Sequence, residues 1–445
     1  MILTLFLHFQ NLLSLSYIAF NLCYTCDKTP WGNENNMKKL PFLGLSLIAL
    51  LTLTACQQLP ITNNISHLST SNTINLTQTQ KDKLRQEVKS NYYYQQLNKS
   101  QKENYLLIRR AANQFEGTIS LNSDNQDSLK KTIRAFIMDN SDIFWMTSTN
   151  YQIESSEDSA TITFNVPKDA QKTKEQLDQI ANQIISDMPK TDDLSKAKYL
   201  YRYIIDHTDY DKSVLEDYQE GDLSSIKTEQ DIRSVLLKHL SVCNGYAHTF
   251  QFLAHKAGLE TIYITGDALT SSSQKIPHAW NLVKINQHYY SVDTTWGDPI
   301  FEGAINNQAK NVTNYHFFAL PESIFNQSHK ADLKIDASQS ATSDNLRKLP
   351  SYNDDSLLDS VQNGYYFTSN SSDVICQYLS NQAKAGNETI DLQFDNKNHY
   401  QAIVDDLESN TEIYHQALMN YWSNYTGFSY ALSPESLTIT ITPNH

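Results

Sequence analysis

The sequence predicts an α+β protein. Its central unit carries a cysteine at the start of a helix packed on an antiparallel sheet, and smaller α/β modules flank it. Three observations predict this class. Behind Cys243, the residues Ala247, Phe250, Ala254 and Ala257 recur at helical spacing, Ser241 offers an N-cap, and Gly258 stops the helix as a C′ glycine does. Residues 278–285 and 288–295 are rich in β-branched and aromatic side chains and enclose Asn286-Gln287, so they read as one antiparallel hairpin of open turn type. Helical and alternating stretches recur on both sides, at 81–189 and from 365 onward.

The chain has 445 residues, with 49 acidic against 35 basic side chains and a formal net charge of −14. That balance argues against a nucleic-acid partner and against a polybasic grip on anionic lipid. Residues 37–56, MKKLPFLGLSLIALLTLTAC, combine Lys38 and Lys39 with a short apolar run and a terminal Leu-Thr-Ala-Cys. The run is shorter than the roughly 20 residues that a membrane span needs. The segment therefore reads as a bacterial lipoprotein signal whose lipobox leaves Cys56 as the lipid-modified first residue. The expected location is extracytoplasmic, anchored to the cell membrane through Cys56. Residues 1–36 precede a complete signal and lack a basic region, so they read as an over-extended start. Cys23 and Cys26 lie there without a second ligand pair, which argues against a metal or redox role.

Residues 57–80 are rich in Ser, Thr, Asn and Gln and read as a tether. Residues 81–190 form an accessory α/β region: a helix from Tyr93, a strand TISL, a helix over 127–139, a hairpin from FWMTSTNYQI and ATITFNV, and a helix over 169–188. Tyr92, Tyr93 and Tyr94 fit core packing better than a carbohydrate platform. Residues 191–337 form the catalytic unit, opened by a helix that Asp192 or Asp193 caps. The polar loop 267–277 is expected to wall a substrate groove. Residues 338–354 read as a linker, and 355–445 as a module of strand, helix, strand, helix and strand. Cys376 is expected in its core, and a Cys243–Cys376 disulfide would silence Cys243.

The central unit carries the chemistry. A thiol needs a base to become a nucleophile, and the base needs a partner that fixes its tautomer. Cys243, His278 and Asp293 supply these parts in order. Free N–H groups at a helix start favour a thiolate and can donate to an oxyanion. Pairing Ile285 with His288 sets Trp280 opposite Asp293 and puts His278 diagonal to Asp293 on one face, roughly 7–8 Å apart at Cα. Gly245 just after the thiol would let a substrate backbone approach. Acid is expected to weaken the chemistry by protonating His278.

VCNGYA, HAWN and YYSVDTTWGDP resemble the three signature blocks of the bacterial transglutaminase-like superfamily, over residues 194–299. The resemblance implies a papain-like fold, with Cys243 as nucleophile, His278 as general base and acid, and Asp293 as orienter. It puts Trp280 and Trp296 near the site, and Gly245, Tyr246, Trp280 and Trp296 are candidate pocket residues. The glutamine that papain-like peptidases carry shortly before the cysteine has no match in SVLLKHLSVC, and Gln230 lies well upstream. The expected activity is acyl transfer or hydrolysis on protein or peptide amides of the cell envelope, without metal or cofactor. Peptidase and cross-linking outcomes stay open, and the alternative is a binding lipoprotein that retains the fold.

Overall fold

The computed structural model describes residues 76–147, 151–156, 159–214, 230–269, 275–298, 313–336, 345–422 and 424–445, all within one compact unit that spans residues 70–445. The segments read as an over-extended start and as a lipoprotein signal with Cys56, and most of the one read as a tether, lie outside the described residues. Among the described residues no helix is long and apolar enough to cross a membrane.

The first helix, α1 (Gln78–Glu87), begins inside the segment read as tether, because Thr77 and Gln80 close a reciprocal capping box there. The single helix expected from Tyr93 is two, α2 (Tyr92–Gln95) and α3 (Lys99–Asn113), since Asn98 and Gln101 form a second capping box between them. Then come β1 (Thr118–Asn122), α4 (Gln126–Asp139), β2 (Tyr151–Ser155) and β3 (Ser159–Phe164), in an antiparallel sheet of order β1-β3-β2. Phe144, Trp145 and Met146, expected in a strand, are buried ahead of it. Helices α5 (Ala170–Asp187) and α6 (Asp193–Asp206) follow, and Asp192 caps the second by accepting from Ser195 N at 2.9 Å.

The central unit pairs β4 (Asp209–Tyr210) with β5 (Leu240–Ser241) in parallel, then continues through α7 (Cys243–Lys256), β6 (Thr261–Leu269), β7 (Lys275–Ile285) and β8 (His288–Val292). Helix α8 (Glu322–Ser328) leads into β9 (His329–Ala331), completing a sheet of order β8-β7-β6-β9 on which α7 packs. The β7–β8 ladder runs from Ile285↔His288 to Asn281↔Val292, the expected register. Asn286 and Gln287 both have positive φ, 49° and 72°, so the turn is type I′, the form whose twist suits a two-residue hairpin.

The N-terminal elements are fastened to this sheet by buried polar contacts. Asp139 accepts from Tyr93 N at 2.9 Å, Tyr94 N at 2.8 Å and Tyr105 Oη at 3.0 Å. Tyr93 in turn donates its hydroxyl to Tyr263 O at 2.7 Å, so the tyrosine run is structural. The expected linker is only partly one: Arg347 is buried, and it donates to Thr265 O at 3.1 Å. Beyond it lie α9 (Asp359–Asn363), β10 (Tyr366–Phe367), α10 (Ser372–Lys384), β11 (Ile390–Phe394), α11 (Lys397–Ser409), α12 (Thr411–Leu418), β12 (Gly427–Ser433) and β13 (Thr438–Asn444). Their sheet has order β10-β11-β13-β12. The edge strand β12 was not expected, because its GFSYALS pattern is polar and half-exposed. Cys376 is half-buried on α10 rather than in the core, and both Cys243 and Cys376 are free thiols.

Candidate active site

Cys243 is the first residue of α7, but Ser241 does not cap that helix. Ser241 is committed to β5, and its Oγ lies 2.6 Å from Ser234 Oγ. Val242 takes the cap position without a capping side chain. Gly245 N and Tyr246 N bond to Val242 O at 2.9 and 3.2 Å, and among the described residues the amides of Cys243 and Asn244 have no acceptor, as expected at a helix start. Gly245 serves packing rather than substrate approach: a Cβ there would collide with the hydroxyls of Ser241 and Ser234. Tyr246 is fully buried and donates to Asp298 Oδ2 at 2.7 Å, away from the cavity.

His278 and Asp293 meet as the hairpin register requires. His278 Nε2 lies 2.7 Å from Asp293 Oδ2. Asp293 Oδ1 accepts from Thr295 N at 2.9 Å and Trp296 N at 3.1 Å, so the turn after β8 fixes the carboxylate. With Nε2 engaged by Asp293, the other ring nitrogen of His278 is the one left for Cys243; the two residues line the same cavity, and among the described residues no hydrogen bond joins them. Burial alone would push His278 down, but the charge and hydrogen bond of Asp293, helped by Cys243, raise it to about 10. Burial likewise opposes ionisation of Asp293, yet His278 and then His329 hold its carboxyl well below the ordinary carboxylate range. The Asp293 carboxylate thus favours the imidazolium form of His278, which moves the expected loss of stabilisation to the alkaline side.

The sequence reading did not find His329. It arrives from β9, paired through Ala268↔His329, and its Nε2 lies 3.0 Å from the same Asp293 oxygen. Its Nδ1 meets Ser328 Oγ at 2.9 Å, and its ring stacks on Phe325 at 3.9 Å between centroids. Burial lowers its pKa, against the raising effect of Asp293. Trp280 and Trp296 are buried and enclose the two imidazoles, with Trp296 at 4.5 Å from His329 between centroids, so they frame the site from behind. His278, Asp293 and His329 have ligand types that suit a divalent ion, their ligand atoms all within 4.8 Å of one another. Both Nε2 atoms, however, lie at hydrogen-bond distance from one carboxylate oxygen, where ring protons fill the space.

Cys243 and His278 open onto a cavity of about 330 Å³ that Tyr210, Gln230, Asn244, Ile276 and Pro277 also line. The expected groove loop is mostly strand here: Asp267↔Pro277, Ala268↔Ile276 and Leu269↔Lys275 are paired, and residues 270–274 lie outside the described ones. Gln230 stands on the cavity wall although it is distant in sequence. Tyr263 donates its hydroxyl to Asn244 Oδ1 at 2.8 Å, and Asn244 Nδ2 donates to Gln230 Oε1 at 2.9 Å. This relay fixes the Gln230 amide and leaves its N–H groups for the cavity.

Two levels of similarity accompany this geometry. The transglutaminase-like superfamily matches residues 178–294, the stretch that builds α6, α7 and the hairpin. The central unit is thus transglutaminase-like and papain-like in fold, within a mixed α+β architecture. Among individual proteins, the kyphoscoliosis peptidase of Mus musculus is 25% identical over 162 residues, covering 34% of this chain and 23% of its own length. That of Homo sapiens is 24% identical over 168 residues, covering 36% and 24%. The chain therefore spans about a quarter of the length of these relatives. A solved TGase structure aligns with 15% identity and a TM-score of 0.25, over 36% of this chain and 45% of that one. The distant homology to a peptidase family points to hydrolytic or transfer chemistry.

Proposed function

We propose that the protein is a cysteine-dependent acyltransferase or peptidase acting on protein or peptide amides. The observation that carries this reading is that Cys243 and His278 line one cavity while His278 Nε2 lies 2.7 Å from the buried Asp293 carboxylate behind it. The Cys243 thiolate attacks the amide carbonyl, and the open amides of Cys243 and Asn244, with the Gln230 side chain, receive the oxyanion. The C–N bond breaks as the His278 imidazolium gives its proton to the leaving amine. The thioester then passes its acyl group to water, yielding an acid, or to an amine, yielding a new amide. His278 removes the proton from either acceptor. The kinship with kyphoscoliosis peptidase favours water as the acceptor.

The same proposal places the enzyme on the outer face of a bacterial membrane, held through lipid on Cys56, with a cell-envelope protein or peptide as substrate. Labelling with a radioactive fatty acid that persists in Cys56→Ser would remove this anchor. For the chemistry, alkylation by iodoacetamide across pH compares the wild-type fragment from Gln80 onward with Cys243→Ala and His278→Ala. Fast labelling of Cys243 near neutral pH, lost in His278→Ala, is the expected result. Slow labelling that ignores His278 would replace the enzyme with a binding module.

A further inference from the structure

A second cavity, of about 120 Å³, adjoins the first and shares Gln230, Asn244 and Thr265 with it as a common wall. Its lining includes Arg134 from α4 and His248, one turn along α7 from Asn244. Among the described residues Arg134 makes no hydrogen bond or ion pair. The carboxylates around it are already committed. Asp231 holds Arg233, with Nε to Oδ1 at 2.9 Å and an Nη to Oδ2 at 2.7 Å. Asp139, at the end of Arg134's own helix, is saturated by two tyrosine amides and a hydroxyl. An uncompensated guanidinium at a cavity is notable in a chain with net charge −14.

His248 adds an independent sign. Its Nδ1 is buried and unpartnered, while its ring stacks on Tyr263 at 4.0 Å and 10°. A buried ring nitrogen without a partner costs roughly 1–3 kcal/mol, so such atoms ordinarily have an occupant to serve. Burial pushes this histidine down to about 4, which makes it a neutral donor rather than a second cation.

We propose that Arg134 and His248 form a subsite for a carboxylate carried by the substrate close to the attacked amide. The guanidinium supplies charge and paired donors, and the Nδ1–H of His248 supplies a third. Asn244 stands between this subsite and the thiol, and its side chain also orients Gln230, so an anion bound here is felt at the reacting carbonyl. The carboxylate comes from an acidic side chain or from a free chain end. This inference rests on the acyl-transfer reading for its biological meaning, but its test does not need turnover.

The test is peptide binding to the Cys243→Ala protein, followed by calorimetry and by the ring signals of His248. The probes are acetyl-Ala-Glu-Ala-amide, acetyl-Ala-Gln-Ala-amide, and acetyl-Ala-Gln-Ala with a free terminal carboxylate. A charge-assisted pair predicts that one acidic probe binds about tenfold more tightly than the neutral one and shifts His248. The preference should survive in Arg134→Lys, vanish in Arg134→Gln, and weaken with salt. Whichever acidic probe wins identifies the source of the carboxylate. Equal binding of all three, or a preference that persists in Arg134→Gln, overturns the subsite. Failure of the acyl-transfer reading would show separately, as slow iodoacetamide labelling of wild-type Cys243.

Discussion

The molecule contains two four-stranded sheets with helices against them, and they spend burial differently. The C-terminal sheet, β10-β11-β13-β12, closes over Ile375, Leu379, Leu392, Phe394, Ile403, Ile439 and Ile441. Its polar groups find partners, as when Gln393 Nε2 donates to Ser436 O at 2.9 Å and Tyr414 donates to Asp406 Oδ2 at 2.6 Å. Among the described residues of this C-terminal part, Ser360 Oγ is the single buried side-chain polar atom without a partner. The central sheet, β8-β7-β6-β9, buries His278, Asp293 and His329 instead. It also leaves Trp280 Nε1, Thr295 Oγ1 and both polar atoms of the Asn281 side chain without partners. Each such atom costs roughly 1–3 kcal/mol. One sheet is built for cohesion, and the other holds charged groups out of water, the arrangement on which the proposed chemistry depends.

The comparison is sharpened most by Asp293→Asn. It removes the charge that holds the His278 imidazolium and the acceptor that both imidazoles share. Turnover should fall by roughly 10²–10⁴-fold, and unfolding in urea should show a loss of about 3–5 kcal/mol, as for a broken buried ion pair. A variant with normal turnover would dissolve the distinction between the sheets.

The next largest effect is on pH. The folded pKa of His278 is raised to about 10, above its unfolded value. The pair's stabilisation is thus fully present below about 6.5 and is lost as pH rises through about 10. Both the thermal midpoint and kcat/KM should fall on the alkaline side with an apparent pKa near 10. An alkaline limb centred near neutrality would mean that Asp293 does not hold the imidazolium.

His329→Gln and His329→Phe form the third test. His329 acts through Asp293 and is a positioning residue. The apolar variant should lower kcat by about tenfold, corresponding to one lost hydrogen bond to a charge, and move the alkaline limb. The glutamine variant, which keeps a donor, should restore much of both. Equal behaviour of the two would reduce His329 to packing. The smallest effect on chemistry belongs to Leu392→Ala in β11. It should destabilise by about 2–5 kcal/mol while kcat at low temperature stays unchanged, and a matching loss of kcat would join the two sheets functionally.

Much of the site was legible because its parts are local. Asn286 and Gln287 separate two clear strands, and a two-residue turn leaves one register, so Ile285 had to face His288 and His278 had to share a face with Asp293. The start of α7 was equally clear from its periodicity, but its cap was not. Ser241 looks like an N-cap until β4 claims it, and that pairing joins residues far apart in sequence. Gly245 was misread for the same reason, since the two serine hydroxyls that demand it belong to other elements.

The sequence alone therefore determined the α+β class, the cysteine helix, the hairpin and its register. Each follows from the chain's periodicity and from short connections whose geometry has few solutions. Tertiary structure decided the rest. His329 reaches Asp293 only because β9 pairs along β6, Gln230 reaches the cavity only through Asn244, and Arg134 comes from a helix over a hundred residues before the thiol. No local pattern announces such groups. Their roles arise where a low-dielectric interior brings a charge or a donor within hydrogen-bond reach of another, and burial makes that meeting count.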